Sequence, residues 1–316
     1  MSMELGEAVN LLIDCDTGID DALAILYLAR QSNVRIIAAG SVHGNVSAQL
    51  GAINTLRVFE LAGLGNIDVA LVADGWLAQE TNPAEEVHGR DGLGETNLPM
   101  PRRRPSKEAA AAQMVRVVHE HPGTLTILAT APLTNLAIAL LLDPELPRLV
   151  HRVVVMGGAV YCPGNVTMDA EANIWSDPEA ADLVFTAGWP ITLVGLDVTM
   201  KAVLKPEDAG LLADTDSSVG RFAWAILQHY FEFHARYYGE RLCHLHDPLA
   251  AGIVADPSLA TYRSTPVRVE LRGVLTRGST RGNPPWNAAG PEGPPISVAT
   301  EVDADRFRAA FLRALT

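Results

Sequence analysis

The sequence predicts an α/β fold: a mostly parallel central sheet with helices on both faces, and extra helices and short strands toward the C-terminus. Three observations predict it. Short aliphatic or β-branched runs alternate with longer amphipathic stretches over most of the 316 residues, which is the pattern of βαβ units. Most of the short runs are apolar throughout, as strands covered on both faces must be. Clusters of polar residues then follow the carboxyl ends of these runs, where such sheets bind ligands.

The first strand is expected at 10–14, followed by a helix at 20–30, a strand at 34–41, a helix at 47–62 and a strand at 68–72. A helix at 106–120, a strand at 124–129, a helix at 133–142 and a strand at 152–156 continue the alternation. The helix at 177–187 has the clearest ends. Ser176 and Glu179 have capping-box spacing, Pro178 suits the first turn and Gly188 closes it. A strand at 190–196 follows. The second half is less regular, with helical segments near 206–213, 218–238 and 247–255, strands near 267–276 and 296–300, and a last helix from Asp303. Residues 277–295 are crowded with Gly and Pro and read as a loop or a strand-to-strand excursion. No internal repeat is present, and PRRRPSK at 101–107 reads as a solvated basic turn.

Composition narrows the partners. With 48% hydrophobic and 19% charged residues the chain can build a substantial core. A net charge of −13 and a pI near 5.1 argue against nucleic acid, whose phosphates need clustered Lys and Arg. Cys15, Cys162 and Cys243 are too few and too far apart for a disulfide framework or a zinc knuckle, which fits a reducing cytoplasm. Glu4 and Glu7 stand where a signal peptide needs positive charge, and no apolar run reaches the roughly 18 residues of a membrane span. A soluble cytoplasmic protein with no membrane partner is expected.

The chemistry concentrates in LLIDCDTGIDDALAILYLA at 11–29, which places Asp14, Asp16, Asp20 and Asp21 at a strand end and a helix start. A helix N-terminus carries about half a positive charge and satisfies one or two acids, not four. A divalent cation that favours oxygen satisfies the set, and Ca²⁺ accepts six to eight oxygens in a flexible shell. Asp20 and Asp21 are sequence neighbours, so their side chains leave the helix roughly 100° apart and are expected to serve different partners. Further polar groups follow later strands: Asn45, then Thr130, then Asn165, Glu171 and Asn173, and finally His246 and Asp247 at a helix start. Taken singly, Asn45 reads as a turn residue, Glu171 as a surface acid and His246 as a capping or core histidine. Their shared position at strand ends groups them.

With these residues assembled, the chain resembles the inosine-uridine preferring nucleoside hydrolase family from about residue 10 to the C-terminus. The family's DxDPGxDDAxA reads DCDTGIDDALA here, with Thr17 in place of the proline. HGN at 43–45, VHGRDGLG at 87–94, ATAPLTNLA at 129–137, VVMGGAV at 154–160, GNVTMDAEANI at 164–174, DPEAA at 177–181 and HDP at 246–248 also match. The resemblance implies one catalytic domain over 1–316, binding Ca²⁺ through Asp16, Asp21, the Thr130 carbonyl and Asp247, with Asp14 supporting the metal loop. It places Asp20, Asn45 and Asn173 on the ribose 2′ and 3′ hydroxyls, Asn165 and Glu171 at the 5′ end, Met156 near the ring, and His88 and His246 facing the base. It also implies a homodimer or homotetramer. Thr17 is expected to change turn rigidity rather than ligands.

The implied reaction is hydrolysis of the N-glycosidic bond of a ribonucleoside. Loss of the base leaves an oxocarbenium-like ribosyl cation, which a carboxylate-lined site stabilises more than the neutral substrate. Asp16 is the expected general base and His246 the expected leaving-group acid. Trp76, Trp189 and Trp224 read as core or helix residues, Trp175 belongs to the AEANIW motif and Trp286 to the late loop, so no tryptophan is assigned to base stacking. The pattern instead suggests a pyrimidine-preferring or nonspecific enzyme. The helix at 221–238 offers Tyr230, His234 and Tyr237 on one face, for the base or for the core. Two other readings compete. A haloacid-dehalogenase-like phosphatase also begins with Asp-x-Asp, but lacks a matching later lysine and acidic pair here. A catalytically silent nucleoside binder would have lost Asp16 or His246, and both are present.

Overall fold

The computed structural model describes residues 8–71, 75–284 and 290–316. Eleven strands run in chain order: β1 (Val9–Cys15), β2 (Val34–Ser41), β3 (Val69–Leu71), β4 (Leu125–Ala129), β5 (Arg152–Met156), β6 (Ile191–Val194), β7 (Val203–Leu204), β8 (Cys243–His244), β9 (Ala260–Val269), β10 (Thr280–Gly282) and β11 (Pro295–Val302). The helices are α1 (Ile19–Leu28), α2 (Ala48–Leu61), α3 (Glu85–His88), α4 (Ala110–Glu120), α5 (Thr134–Leu142), α6 (Leu146–Leu149) and α7 (Ala172–Ser176). They continue with α8 (Pro178–Thr186), α9 (Leu196–Thr199), α10 (Pro206–Ala209), α11 (Ser218–Tyr238), α12 (His246–Ala255) and α13 (Ala304–Leu315).

Nine strands form one sheet in the order β10-β9-β11-β6-β5-β4-β1-β2-β3. From β3 to β6 every pairing is parallel, and β1 sits between β2 and β4. The chain therefore winds outward in both directions from β1, and the crevice at the carboxyl ends of β1 and β4 is the switch point where such sheets bind ligands. β11 continues the sheet in parallel with β6, and β9 and β10 add an antiparallel edge.

Side-chain alternation along the strands sorts two apolar layers. Leu11, Ile13 and Cys15 of β1 face a core shared with α1, α2, α11, α12 and α13. Leu12 faces the opposite core, against α4, α5 and α8. Asp14 shares the side of Leu12, and its Oδ1 accepts from Asn135 Nδ2 of α5 at 2.7 Å. It thus supports the β1 loop from behind. Gly40 of β2 leaves room for it, since a Cβ there would lie 2.6 Å from Asp14 Oδ1.

Most expected elements are present, and the differences have physical reasons. The expected strand at 267–276 lies earlier, as β9, and residues 270–279 form the turn into β10. The excursion expected at 277–295 contains β10, while Trp286 lies outside the described residues. Asp177, not Ser176, caps α8: its side chain accepts from Ala180 N, while Ser176 donates to the Ala172 carbonyl within α7.

Candidate active site

The loop from β1 into α1 forms the floor of the site. Asp16 is fully buried; its Oδ2 accepts from the Asn45 backbone N–H at 2.6 Å and its Oδ1 from Asn45 Nδ2 at 3.1 Å. The same Nδ2 reaches Asp21 Oδ2 at 3.1 Å, so Asn45, in the loop after β2, ties two acids together. Gly44 makes this approach possible, because a Cβ there would lie 1.7 Å from Asp16 Oδ2. Thr17, the departure from the family motif, faces away from the acids: its hydroxyl meets Thr55 Oγ1 of α2 at 2.7 Å and Cys15 Sγ at 3.3 Å. The hydroxyl ties the turn to α2 in place of a proline ring.

Helices α1 and α12 pack side by side and bring their N-termini together. Asp20, Asp21 and Asp247 each offer an oxygen within 4.8 Å of the others. Asp20 and Asp21 leave α1 in different directions, Asp20 lining the cavity and Asp21 not, yet both keep an oxygen close to Asp247. Thr130, just past β4, closes the group, with its hydroxyl on Asp21 Oδ1 at 2.7 Å. Its carbonyl accepts from Asn173 Nδ2 at 3.0 Å, and Asn173 also donates to the Met156 carbonyl at 3.2 Å.

No Lys or Arg among the described residues forms an ion pair with these acids; the nearest basic group is His88, 3.9 Å from Asp20. Asp20 Oδ1 and Asp247 Oδ2 are buried without a hydrogen-bond partner among the described residues. Burial alone pushes the Asp20 carboxyl up to about 6 and Asp14 up to about 7. Asp16, Asp21 and Asp247 are raised by burial and then by neighbouring acids, chiefly Asp21 on Asp16 and Asp20 on Asp21 and Asp247. Buried anionic oxygens left without partners are costly, and a cation at their meeting point removes the cost. The donors are all oxygens and so suit a hard divalent ion. The residues fit a metal site.

A cavity of ≈ 230 Å³ opens above this floor. Asp20, Asn45, Thr130, Met156, Asn165, Glu171, Asn173 and Asp247 line it together with His88, Tyr230, His234 and His246, and Asp20 joins the two groups, 3.9 Å from His88 Nδ1 and 3.5 Å from the Tyr230 hydroxyl. Asp16 and Asp21 lie beneath the surface that the cavity touches. Glu171 is buried rather than superficial, and its carboxylate caps α7 by accepting from Asn173 N, Ile174 N and Gly158 N. Asn165 steadies the same corner through Oδ1, which accepts from Ala172 N. His246 Nδ1 lies 2.8 Å from Thr199 Oγ1, and burial beside three other histidines pushes it down to about 3.

All twelve site residues expected from the sequence are therefore in or directly beneath one cavity. On α11 the face that lines it is Tyr230, His234 and Tyr238; Tyr237 is exposed and hydrogen-bonds Glu86 at the mouth. Phe233 and Val87 also line the cavity and were not expected. The four-residue spacing from Tyr230 through His234 to Tyr238 carried the signal, but a core-facing stripe has the same spacing. No tryptophan lines the cavity among the described residues.

Known proteins are similar to this chain in sequence and fold. The profile of the family described as inosine-uridine preferring nucleoside hydrolase matches residues 11–309. Uridine nucleosidase 1 of Arabidopsis thaliana is 39% identical over 307 residues, covering 95% of this chain and 91% of the relative. A pyrimidine-specific ribonucleoside hydrolase of Citrobacter koseri is 38% identical over 274 residues, covering 86% of this chain and 88% of its own. Among solved structures, a plant nucleoside hydrolase superimposes with a TM-score of 0.94 at 36% identity, covering 97% of this chain and 98% of the other.

Proposed function

The chain belongs to the inosine-uridine preferring nucleoside hydrolase family and is a ribonucleoside hydrolase, and from that premise we propose that it is a calcium-dependent enzyme acting chiefly on pyrimidine ribonucleosides. The observation that carries this reading is the pair of orphaned buried oxygens, Asp20 Oδ1 and Asp247 Oδ2, on residues that line a cavity shared with histidines and tyrosines. Asp16, Asp21, the Thr130 carbonyl and Asp247 would hold the ion. Bound there, Ca²⁺ would supply positive charge for the ribose hydroxyls and for a water molecule, and would bring the buried acids into their ionised form.

The chain's own residues do the rest. Asp20, Asn45 and Asn173 take the 2′ and 3′ hydroxyls, which makes 2′-deoxyribosides poor substrates. Asn165 and Glu171 take the 5′ end, and Met156 packs near the ring. Asp16 takes the proton of the attacking water. The ionised carboxylates face the positive charge that develops on the sugar, and so favour the transition state over the neutral nucleoside. His88 contacts the base, and His246, the candidate leaving-group acid, is neutral at pH 7 with its pKa down at about 3, so it assists through its neutral N–H, which hydrogen-bonds the negative charge that develops on the departing base. The uridine and pyrimidine specificities named for the relatives, together with a cavity lined by no described tryptophan, support the pyrimidine preference.

The test is a substrate panel in Ca²⁺ with released ribose as the readout. Uridine and cytidine should be cleaved fastest, inosine more slowly, and 2′-deoxyuridine at least about 100-fold more slowly, the scale expected when buried polar groups lose their partner. A metal-loaded protein that releases no ribose from any of them would refute the proposal.

A further inference from the structure

The base end of the cavity holds more information than its residue types. A neutral imidazole has one donor nitrogen and one acceptor, and its fixed partners decide which is which. His88 Nδ1 accepts the backbone N–H of Ile19 at 3.1 Å. A backbone amide can only donate, so the His88 proton sits on Nε2. His234 has the opposite arrangement. Its Nδ1 lies 2.9 Å from the Tyr230 carbonyl, which can only accept, so Nδ1 carries the proton and Nε2 carries a lone pair. Burial pushes both rings down to about 4, which keeps them neutral at pH 7.

The His234 ring is also held in place. It is 3% exposed, meets Tyr230 edge-on at 4.6 Å and stacks on Tyr238 at 5.4 Å. Nε2 has no hydrogen-bond partner among the described residues, and the residue lines the cavity. Two rings of the cavity wall are therefore fixed in opposite senses, His88 with its proton on Nε2 and His234 with its lone pair there.

We propose that His234 is a specificity-determining residue whose Nε2 lone pair accepts a hydrogen bond from an N–H on the edge of the base. The inference rests on the nucleoside reading of the cavity and deepens it. Uracil offers N3–H beside a carbonyl, cytosine its amino group beside N3, and hypoxanthine N1–H beside a carbonyl. Each sets a donor beside an acceptor, complementary in type to the His234 lone pair and the His88 N–H. With N1 substituted, as it is by ribose in the nucleoside, 3-methyluracil keeps the carbonyls and has no N–H left, leaving the His234 lone pair buried and unpaired.

The experiment compares equilibrium binding of uracil and 3-methyluracil, both methylated at N1 so that the position ribose occupies offers no donor, to the wild-type protein, His234→Phe and His234→Gln, with ribose release from uridine measured in parallel. Wild type should bind uracil about 10-fold more tightly, the size of one such hydrogen bond. His234→Phe should shrink the ratio to within about 2-fold, and His234→Gln, whose amide oxygen can accept, should restore it. A ratio unchanged in His234→Phe would mean that the methyl group is excluded by shape alone and would overturn the proposal. So would wild type that shows no preference or binds no uracil, an outcome that needs no variant to fold. A preference for uracil with no ribose release from uridine would refute the hydrolase reading and leave the role of His234 standing.

Discussion

His246 is the residue whose role most depends on its surroundings. It stands beside Asp247 at the start of α12, its Nδ1 on the Thr199 hydroxyl, in a cavity wall shared with His88 and His234. If its neutral N–H meets the charge on a departing base, His246→Ala should lower kcat on uridine by about 10²- to 10³-fold, the usual contribution of one preorganised hydrogen-bond donor. A p-nitrophenyl riboside, whose leaving group needs little help, should lose much less. Parallel assays of ribose and nitrophenolate release would show this, and equal losses on both substrates would remove the assignment. At this scale the acids were legible in the sequence, because Asp14, Asp16, Asp20 and Asp21 within eight positions have no ordinary structural explanation. Asn45, Glu171 and Asn173 were legible through their places after strands. Tyr238 and Phe233 were not, because aromatic residues at helical spacing look the same whether they face a cavity or a core.

Among the elements, those with a full period were legible to within a few residues, and β2 and β5 begin and end where their apolar runs do. The short helices α3, α7 and α9 have four or five residues and show no period to read. Strand β9 was displaced in the reading because Pro266 interrupts it. The structure places that proline where β9 leaves β11 and takes up β10, which a strand tolerates at a change of partner. The junction of α7 and α8 shows how one side chain holds several elements. Asp177 caps α8 through Ala180 N at 3.1 Å, accepts from Thr134 Oγ1 of α5 at 2.6 Å, and receives Leu77 N at 3.0 Å. Asp177→Ala removes a cap and leaves the Thr134 hydroxyl and the Leu77 amide without that partner. It should cost about 2 kcal/mol, read as a lower urea midpoint at unchanged slope. An unaltered midpoint would mean that water replaces all three bonds without loss.

For the whole molecule, the −13 charge divides into two populations. Many surface acids pair with arginines, as Glu108 and Glu120 do with Arg116 and Asp256 does with Arg306. The buried acids at the switch point have no such partner, and they occupy the seam where α1, α12, β1 and β4 meet. Burial raises their pKa values, so in the metal-free fold their ionisation works against stability. A cation bound only by the folded state reverses this and stabilises by mass action, by about 2.7 kcal/mol when its concentration is 100 times its dissociation constant. Stripping with EDTA should therefore lower Tm, and Ca²⁺ should restore it in a concentration-dependent way. Mg²⁺ should do so less well, because it demands a tighter octahedron than side chains from four separate elements supply. Asp247→Asn separates this from a general salt effect. It removes one buried charge, so its metal-free form should melt no lower than the wild-type apo protein, yet Ca²⁺ should no longer raise its Tm. If EDTA and Ca²⁺ leave the wild-type melting curve unmoved, the acids at the switch point are not a metal site, and their burial has to be explained by shared protons instead.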